Sequence, residues 1–136
     1  MAGPVSGREA MIAGMDPQLD PRDWRFVLVS PDNAATLLGS AIGTFREEEG
    51  VTAIAPSALA DELGIEGPDF RRITLQVNSD LEGVGLTAAV SGVLADAGIA
   101  CNVVAAFYHD HIFVPASRAD EAIGLLEALS SAVRPG

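Results

Sequence analysis

The sequence predicts an α+β fold: two copies of a β-α-β-β-α unit, with helices covering one face of an antiparallel sheet. Three observations lead there. Short apolar runs of strand length alternate with helix-length amphipathic runs, in the same order twice. Part of the first half returns at an offset of 59 residues, where Pro56, Ala60, Asp61 and Glu62 answer to Pro115, Ala119, Asp120 and Glu121. Hydrophobic residues at 49% against 20% charged supply a core and exclude disorder.

Taken in order, residues 1–22 read as an N-terminal extension, with a short helix over 7–14 before Pro17 and Pro21 break the pattern. WRFVLVS (24–30) is an apolar, β-branched strand, and Ser30-Pro31-Asp32-Asn33 ends it before a short helix over 34–39. GTFREEEG (43–50) and VTAIAP (51–56) form a hairpin that turns near Glu49-Gly50. Ser57 is positioned to cap the next helix, which Gly64 stops. RRITLQVNS (71–79) alternates, with Ile73, Leu75 and Val77 on one face. A helix over 83–98 carries the stripe Leu86, Val90, Val93, Leu94 and Ala97, and Gly98 stops it. CNVVAAFY and HIFVP are strands. Ser117 with Asp120 resembles a capping box for a last helix, whose stripe is Ala119, Ile123, Leu126, Leu129 and Val133. This sets module boundaries at 23–66 and 67–134. The first strands, 26–30 and 73–77, align at an offset of 47, and a longer helix and loop in the second copy absorb the remaining 12 residues.

Composition closes several doors. Net charge is −11, so phosphate backbones are repelled and nucleic acid is not an expected partner. All eight basic residues are arginine, which excludes Schiff-base and P-loop lysine chemistry. The lone Cys101 has no disulfide partner within the chain and reads as a buried, inert thiol. No apolar run has membrane-spanning length and no signal peptide is evident, so the expectation is a cytoplasmic protein without a membrane partner.

Two stretches hold candidate chemistry. The first is Tyr108-His109-Asp110-His111, with the chain's only histidines. At the offset of 59, His109 and His111 fall on Gly50 and Thr52, the first copy's hairpin tip. A catalytic metal generally needs three protein ligands, and no third stands nearby. Polar turn residues are the favoured reading. A Cys101–His109 nucleophilic pair fails on distance, because eight extended residues span ~26 Å.

The second is residues 78–86, NSDLEGVGL, which join a strand end to a helix start. Helix N-terminal N–H groups receive carboxylates, and glycine permits close approach to the main chain. Asp80 and Glu82 disfavour phosphate and suit an ammonium group, so the loop fits a zwitterion such as an amino acid. An ordinary strand-to-helix turn capped by Ser79 or Asp80 is the competing reading. The spacing matches neither dinucleotide nor Walker patterns, and no cofactor is expected.

GVGLTAAVSGVLADAGIACNVVAAFYHDHIFVP (83–115), together with TFREEEGVT (44–52), closely resembles short bacterial proteins built from ACT domains, and the likeness runs from about Asp20 to Leu129. The 44–52 stretch is also similar to CASTOR-type arginine sensors and aspartate-kinase regulatory domains. The resemblance implies paired ferredoxin-like modules that bind amino acids and regulate partners, without catalytic activity of their own. It implies a ligand at the loop after the first strand, here Asn78, Ser79, Asp80, Leu81, Glu82, Gly83, Val84 and Gly85, with Asn102 facing it. Gly83 matches a glycine common in ACT loops, and Glu82 stands where a proline often precedes it. A homodimer is the expected assembly, through the bare sheet face or an edge strand. Two other readings compete: an interaction module that has lost its ligand, and a small metal-assisted enzyme using His109, Asp110 and His111.

Overall fold

The computed structural model describes residues 7–77 and 84–133. In chain order they form α1 (Arg8–Ala13), β1 (Pro17–Val29), α2 (Ala34–Ser40), β2 (Gly43–Arg46), β3 (Val51–Pro56), α3 (Ser57–Glu62), β4 (Phe70–Leu75), α4 (Leu86–Asp96), β5 (Asn102–Ala105), β6 (Asp110–Pro115), a 3-10 turn (Ala116–Arg118) and α5 (Ala119–Val133). After α1 the order β-α-β-β-α occurs twice, which is the α+β architecture the sequence predicts. The chain divides into two compact units, Pro21–Phe70 (the first module) and Met1–Asp20 with Arg71–Gly136 (the second).

In the first module the strand order is β2-β3-β1, with both pairings antiparallel. Val27, Ala53 and Ala55 point to the helix side and bury against Leu37 of α2 and Ala60 of α3. Strand alternation then sends Trp24, Phe26 and Leu28 to the opposite face, beside Ile54 and Thr52 of β3. In the second module the order is β4-β6-β5, with the leading residues of β1 next to β4. Ile73, Leu75 and Val77 enter the core as their alternation predicts, against Leu86, Val90 and Leu94 of α4 and Ala119, Ala122 and Leu126 of α5. Val93, placed on the same stripe from sequence, is half-buried and lies outside that cluster.

Residues 8–20 belong to the second module. Met11, Ile12 and Met15 are fully buried in the second module's core. The chain then runs alongside β4 in the opposite direction: the Gln76 N–H donates to the Met15 carbonyl (2.6 Å), and Arg71 Nε donates to the Asp20 carbonyl (2.8 Å). Ser130 on α5 ties α1 down through a 3.0 Å bond from its hydroxyl to the Ala13 carbonyl. A βαββα unit alone leaves one side of its first strand without a neighbour, and here the opening residues of the chain fill that side.

The duplication extends to individual hydrogen bonds. β2 and β3 map onto β5 and β6 at the offset of 59. Phe45 opposite Thr52 becomes Val104 opposite His111. The hairpin turn repeats as well, from the Glu47 N–H to the Gly50 carbonyl (2.8 Å) and from the Ala106 N–H to the His109 carbonyl (3.0 Å). The first strands, however, align at 46 and not 47: β1 ends at Val29 and β4 at Leu75, and core-facing Val27 answers to Ile73. A slip of one residue reverses every side chain in a strand, so burial decides the register.

Two caps also differ from expectation. Ser57 and Ser117 do not cap their helices. Each helical segment begins directly after a strand-ending proline, Pro56 (φ −56, ψ 133) and Pro115 (φ −52, ψ 134), and neither start has a side-chain cap. The glycine stops hold. Gly64 and Gly98 take left-handed φ of +71 and +72, and the following N–H reaches back five residues, Ile65 to Ala60 (2.8 Å) and Ile99 to Leu94 (2.9 Å).

Candidate functional site

The loop between β4 and α4 is the candidate ligand site. Asn78, Ser79, Asp80, Leu81, Glu82 and Gly83 lie outside the described residues. Val84 and Gly85 are described. Val84 is exposed, and Gly85 is the N-cap of α4 with φ +109, a conformation glycine adopts without the strain a Cβ would bring. Among the described residues no side-chain bond caps α4, and the helix dipole stands behind the N–H groups of its first turn.

One residue near this loop was not picked out from sequence. Arg8 of α1 lays its side-chain stem across Gly85, so close that a Cβ on Gly85 would come within 2.7 Å of Arg8 Cδ. A guanidinium therefore stands beside the open end of α4. Spacing gave no warning, because the two residues are 77 positions apart and meet only once α1 joins the second module's core. Asn102, the remaining predicted site residue, is exposed at the head of β5. The eleven residues of α4 separate it from Gly85, a length of ~16 Å.

The corresponding loop of the first module, residues 30–33, is closed on itself. The Ser30 N–H donates to Asn33 Oδ1 (2.7 Å) and the Asn33 N–H donates to the Ser30 carbonyl (3.2 Å). A separate hollow of about 370 Å³ is lined by Asp16, Gln18, Leu19, Ile123, Glu127 and Ser130, among others. Its charged lining is all acidic, which disfavours a carboxylate there.

The histidine string divides between a turn and a strand. His109 closes the β5–β6 turn, and Asp110 begins β6 and is buried. His111 shares a 3.0 Å hydrogen bond between its Nδ1 and the Thr74 hydroxyl on the sheet face away from the core. Burial pushes the His111 imidazole below its ordinary pKa; the charges of Arg72 and His109 push the same way, and Asp110 opposes them. The ring is therefore a neutral hydrogen-bonding group at neutral pH. Among the described residues no three His, Cys, Asp or Glu side chains are grouped to hold a metal ion. Cys101 is half-buried, and burial raises its thiol pKa, which keeps it protonated. The double variant His109→Gln with His111→Gln should fold and lose about 1 kcal/mol at most, the worth of the Thr74 bond, seen as a melting shift of a few degrees. A folded variant that loses stoichiometric zinc held by the wild type would contradict the turn reading.

The pattern that defines the ACT domain matches residues 9–71 and again residues 68–128. The chain belongs to the ACT-domain family. It carries two ACT domains in tandem, as its sequence resemblance implies. A Vibrio cholerae protein of unknown function, described as a possible transport protein, is 38% identical; the match covers 90% of this chain and 94% of that one, with a TM-score of 0.79. The ligand-free regulatory subunit of aspartate kinase from Thermus thermophilus shares the fold at 12% identity, 83% and 95% coverage and a TM-score of 0.61. The corresponding subunit from Thermus flavus does so at 14% identity, 83% and 95% coverage and a TM-score of 0.58. No curated protein sequence matches. Among the described residues of this ACT protein, no helix is long and apolar enough to cross a membrane.

Proposed function

We propose that this tandem ACT protein is a regulatory module without catalytic activity that binds an amino acid at the β4–α4 loop and works as a homodimer. The observation that carries the proposal is the N-terminus of α4, uncapped among the described residues, with the Arg8 side chain against Gly85. An amino acid's carboxylate would take the first-turn N–H groups and the guanidinium, and its ammonium would meet Asp80 or Glu82. The regulatory role is supported by the family and by the named role of the aspartate-kinase subunits that share the fold.

A thermal-shift screen of the twenty amino acids tests it. A ligand at about 100 times its dissociation constant stabilises the fold by ~2.7 kcal/mol, which moves the midpoint by several degrees. The expected result is a shift with at least one amino acid that is abolished in Gly83→Val and weakened in Arg8→Gln, each folded. Asn102→Ala measures whether the ligand reaches beyond the loop. No shift with any of the twenty would favour an interaction module, and an undiminished shift in Gly83→Val would place the ligand elsewhere.

A further inference from the structure

The hollow of about 370 Å³ lies within the second module, between two walls that the core holds in place. One wall is Asp16 with Gln18 and Leu19 of β1, and the other is Ile123, Glu127 and Ser130 of α5. Met15, directly before Asp16, is fully buried, and its carbonyl accepts from the Gln76 N–H (2.6 Å). Leu19 and Ile123 pack on the margin of the same core. The buried Ser130 hydroxyl donates to the Ala13 carbonyl (3.0 Å), which fixes α5 against the segment that leads into Asp16.

The charge in the hollow is one-sided. The Gln18 amide donates to Asp16 Oδ1 (3.0 Å), and among the described residues no arginine pairs with Asp16 or Glu127. Ser130 stands in the last turn of α5 described, toward the negative end of a fifteen-residue helix. These groups repel an anion. A bare divalent ion is also a poor fit, because it takes several oxygen ligands and among the described residues no three His, Cys, Asp or Glu side chains are grouped.

An organic cation meets both the charge and the space. We propose that this hollow is a binding site for a short aliphatic diamine, whose ammonium groups lie on Asp16 and Glu127 and whose methylene chain runs along Leu19 and Ile123. A volume of about 370 Å³ is at the low end of the ~300–1,000 Å³ of small-molecule sites, so the ligand is small. The β4–α4 loop takes no part in this site. The two ligands differ in chemistry as well, since a carboxylate is welcome at the helix start and repelled in the hollow.

Two-dimensional amide NMR titration of the full chain at physiological salt tests the proposal. Lysine and 1,5-diaminopentane differ only in the carboxylate. The diamine should shift the amides of residues 16, 18, 19, 123, 127 and 130 saturably. Lysine should do so at least ~5-fold more weakly at these residues, whatever it does at residues 84–86. Asp16→Asn and Glu127→Gln should each weaken the diamine ~5-fold, the worth of about 1 kcal/mol for one exposed charge pair. Both should keep wild-type circular dichroism, because Asn tolerates the left-handed φ of +40 at Asp16 and Glu127 is exposed. A chain of net charge −11 attracts any diamine loosely, so the control removes two charges elsewhere. Glu48→Gln with Glu49→Gln, on the exposed β2–β3 hairpin, should leave binding unchanged. No saturable shift at the hollow, lysine as tight there as the diamine, wild-type binding by the Asp16→Asn, Glu127→Gln double variant, or an equal loss in the hairpin control would each overturn the proposal.

Discussion

Deletion of residues 1–16 should abolish cooperative folding of the second module. The deletion removes Met11, Ile12 and Met15, all fully buried against β4, α4 and α5. Each such side chain contributes ~1.5–3 kcal/mol by burial, so the three together approach the ~5–15 kcal/mol of an ordinary domain's entire stability. The deletion also strips the Gln76 N–H and the Ser130 hydroxyl of their acceptors, the Met15 and Ala13 carbonyls. Two-dimensional amide NMR should show lost dispersion for residues 84–133. A milder form, Met15→Ala in the full chain, should cost about 2–5 kcal/mol in urea denaturation, as expected for a truncated core side chain. A deletion variant with wild-type dispersion would show that these residues are dispensable after all.

Arg25→Met should destabilise the first module by about 3 kcal/mol. Arg25 is buried on the helix side of β1, where its Nε and Nη2 donate to Asp69 Oδ1 (3.1 and 2.7 Å) and its Nη1 donates to Asp61 Oδ1 (2.9 Å) and the Ile65 carbonyl (2.7 Å). One guanidinium thus ties the end of α3 and the connector to β4 onto the sheet. Breaking a buried pair typically costs 3–5 kcal/mol, and the lower end of ~3 kcal/mol applies because water can reach the two carboxylates left behind. The Asp61 and Asp69 side chains are 70% and 39% exposed. The acid limb carries a second signature. The Ser57 hydroxyl and the Arg25 guanidinium hold the Asp69 carboxyl below the ordinary carboxylate range. The unfolded chain therefore takes up the Asp69 proton first as pH falls. The stabilisation is complete above the ordinary carboxylate pKa and is lost as pH drops through the lowered one. Denaturation measured between pH 6 and pH 2 should show a shallower fall for Arg25→Met than for the wild type. Parallel curves would mean that Asp69 draws nothing from this pair.

Much of the fold is legible in the sequence because its signals are local. Alternation in 73–77, glycines at 64 and 98, and the matched Pro56 and Pro115 each speak for their own neighbourhood, and the structure uses each of them. What escapes is whatever depends on distant partners. Pro17 and Pro21 read as breakers, yet both lie within the thirteen-residue β1, whose first part is fixed by its pairing with residues 71–76. Nothing local to Arg25 names its partners, because Asp61 and Asp69 close around it from 36 and 44 residues further along. For the candidate loop, sequence reading began the helix at residue 83, the structure begins it at Leu86 behind Gly85, and only the fold could bring Arg8 to Gly85.

The second module's division between the two ends of the chain has a consequence for the timing of folding. Residues 8–20 are made before residues 21–70, but the strand and helices they pack against are not complete until residue 133. In the interval the chain makes residues 21–70, which hold their own core and need neither end. Closing a fifty-residue loop carries an entropic cost that grows with the logarithm of its length and is met before the contacts it permits can form. Residues 21–70 supply that loop already condensed, which shortens the span the ends must search. During synthesis the helix carrying Met11 and Ile12 stays without its partners until residue 133 has been made, and over that interval it needs protection from aggregation.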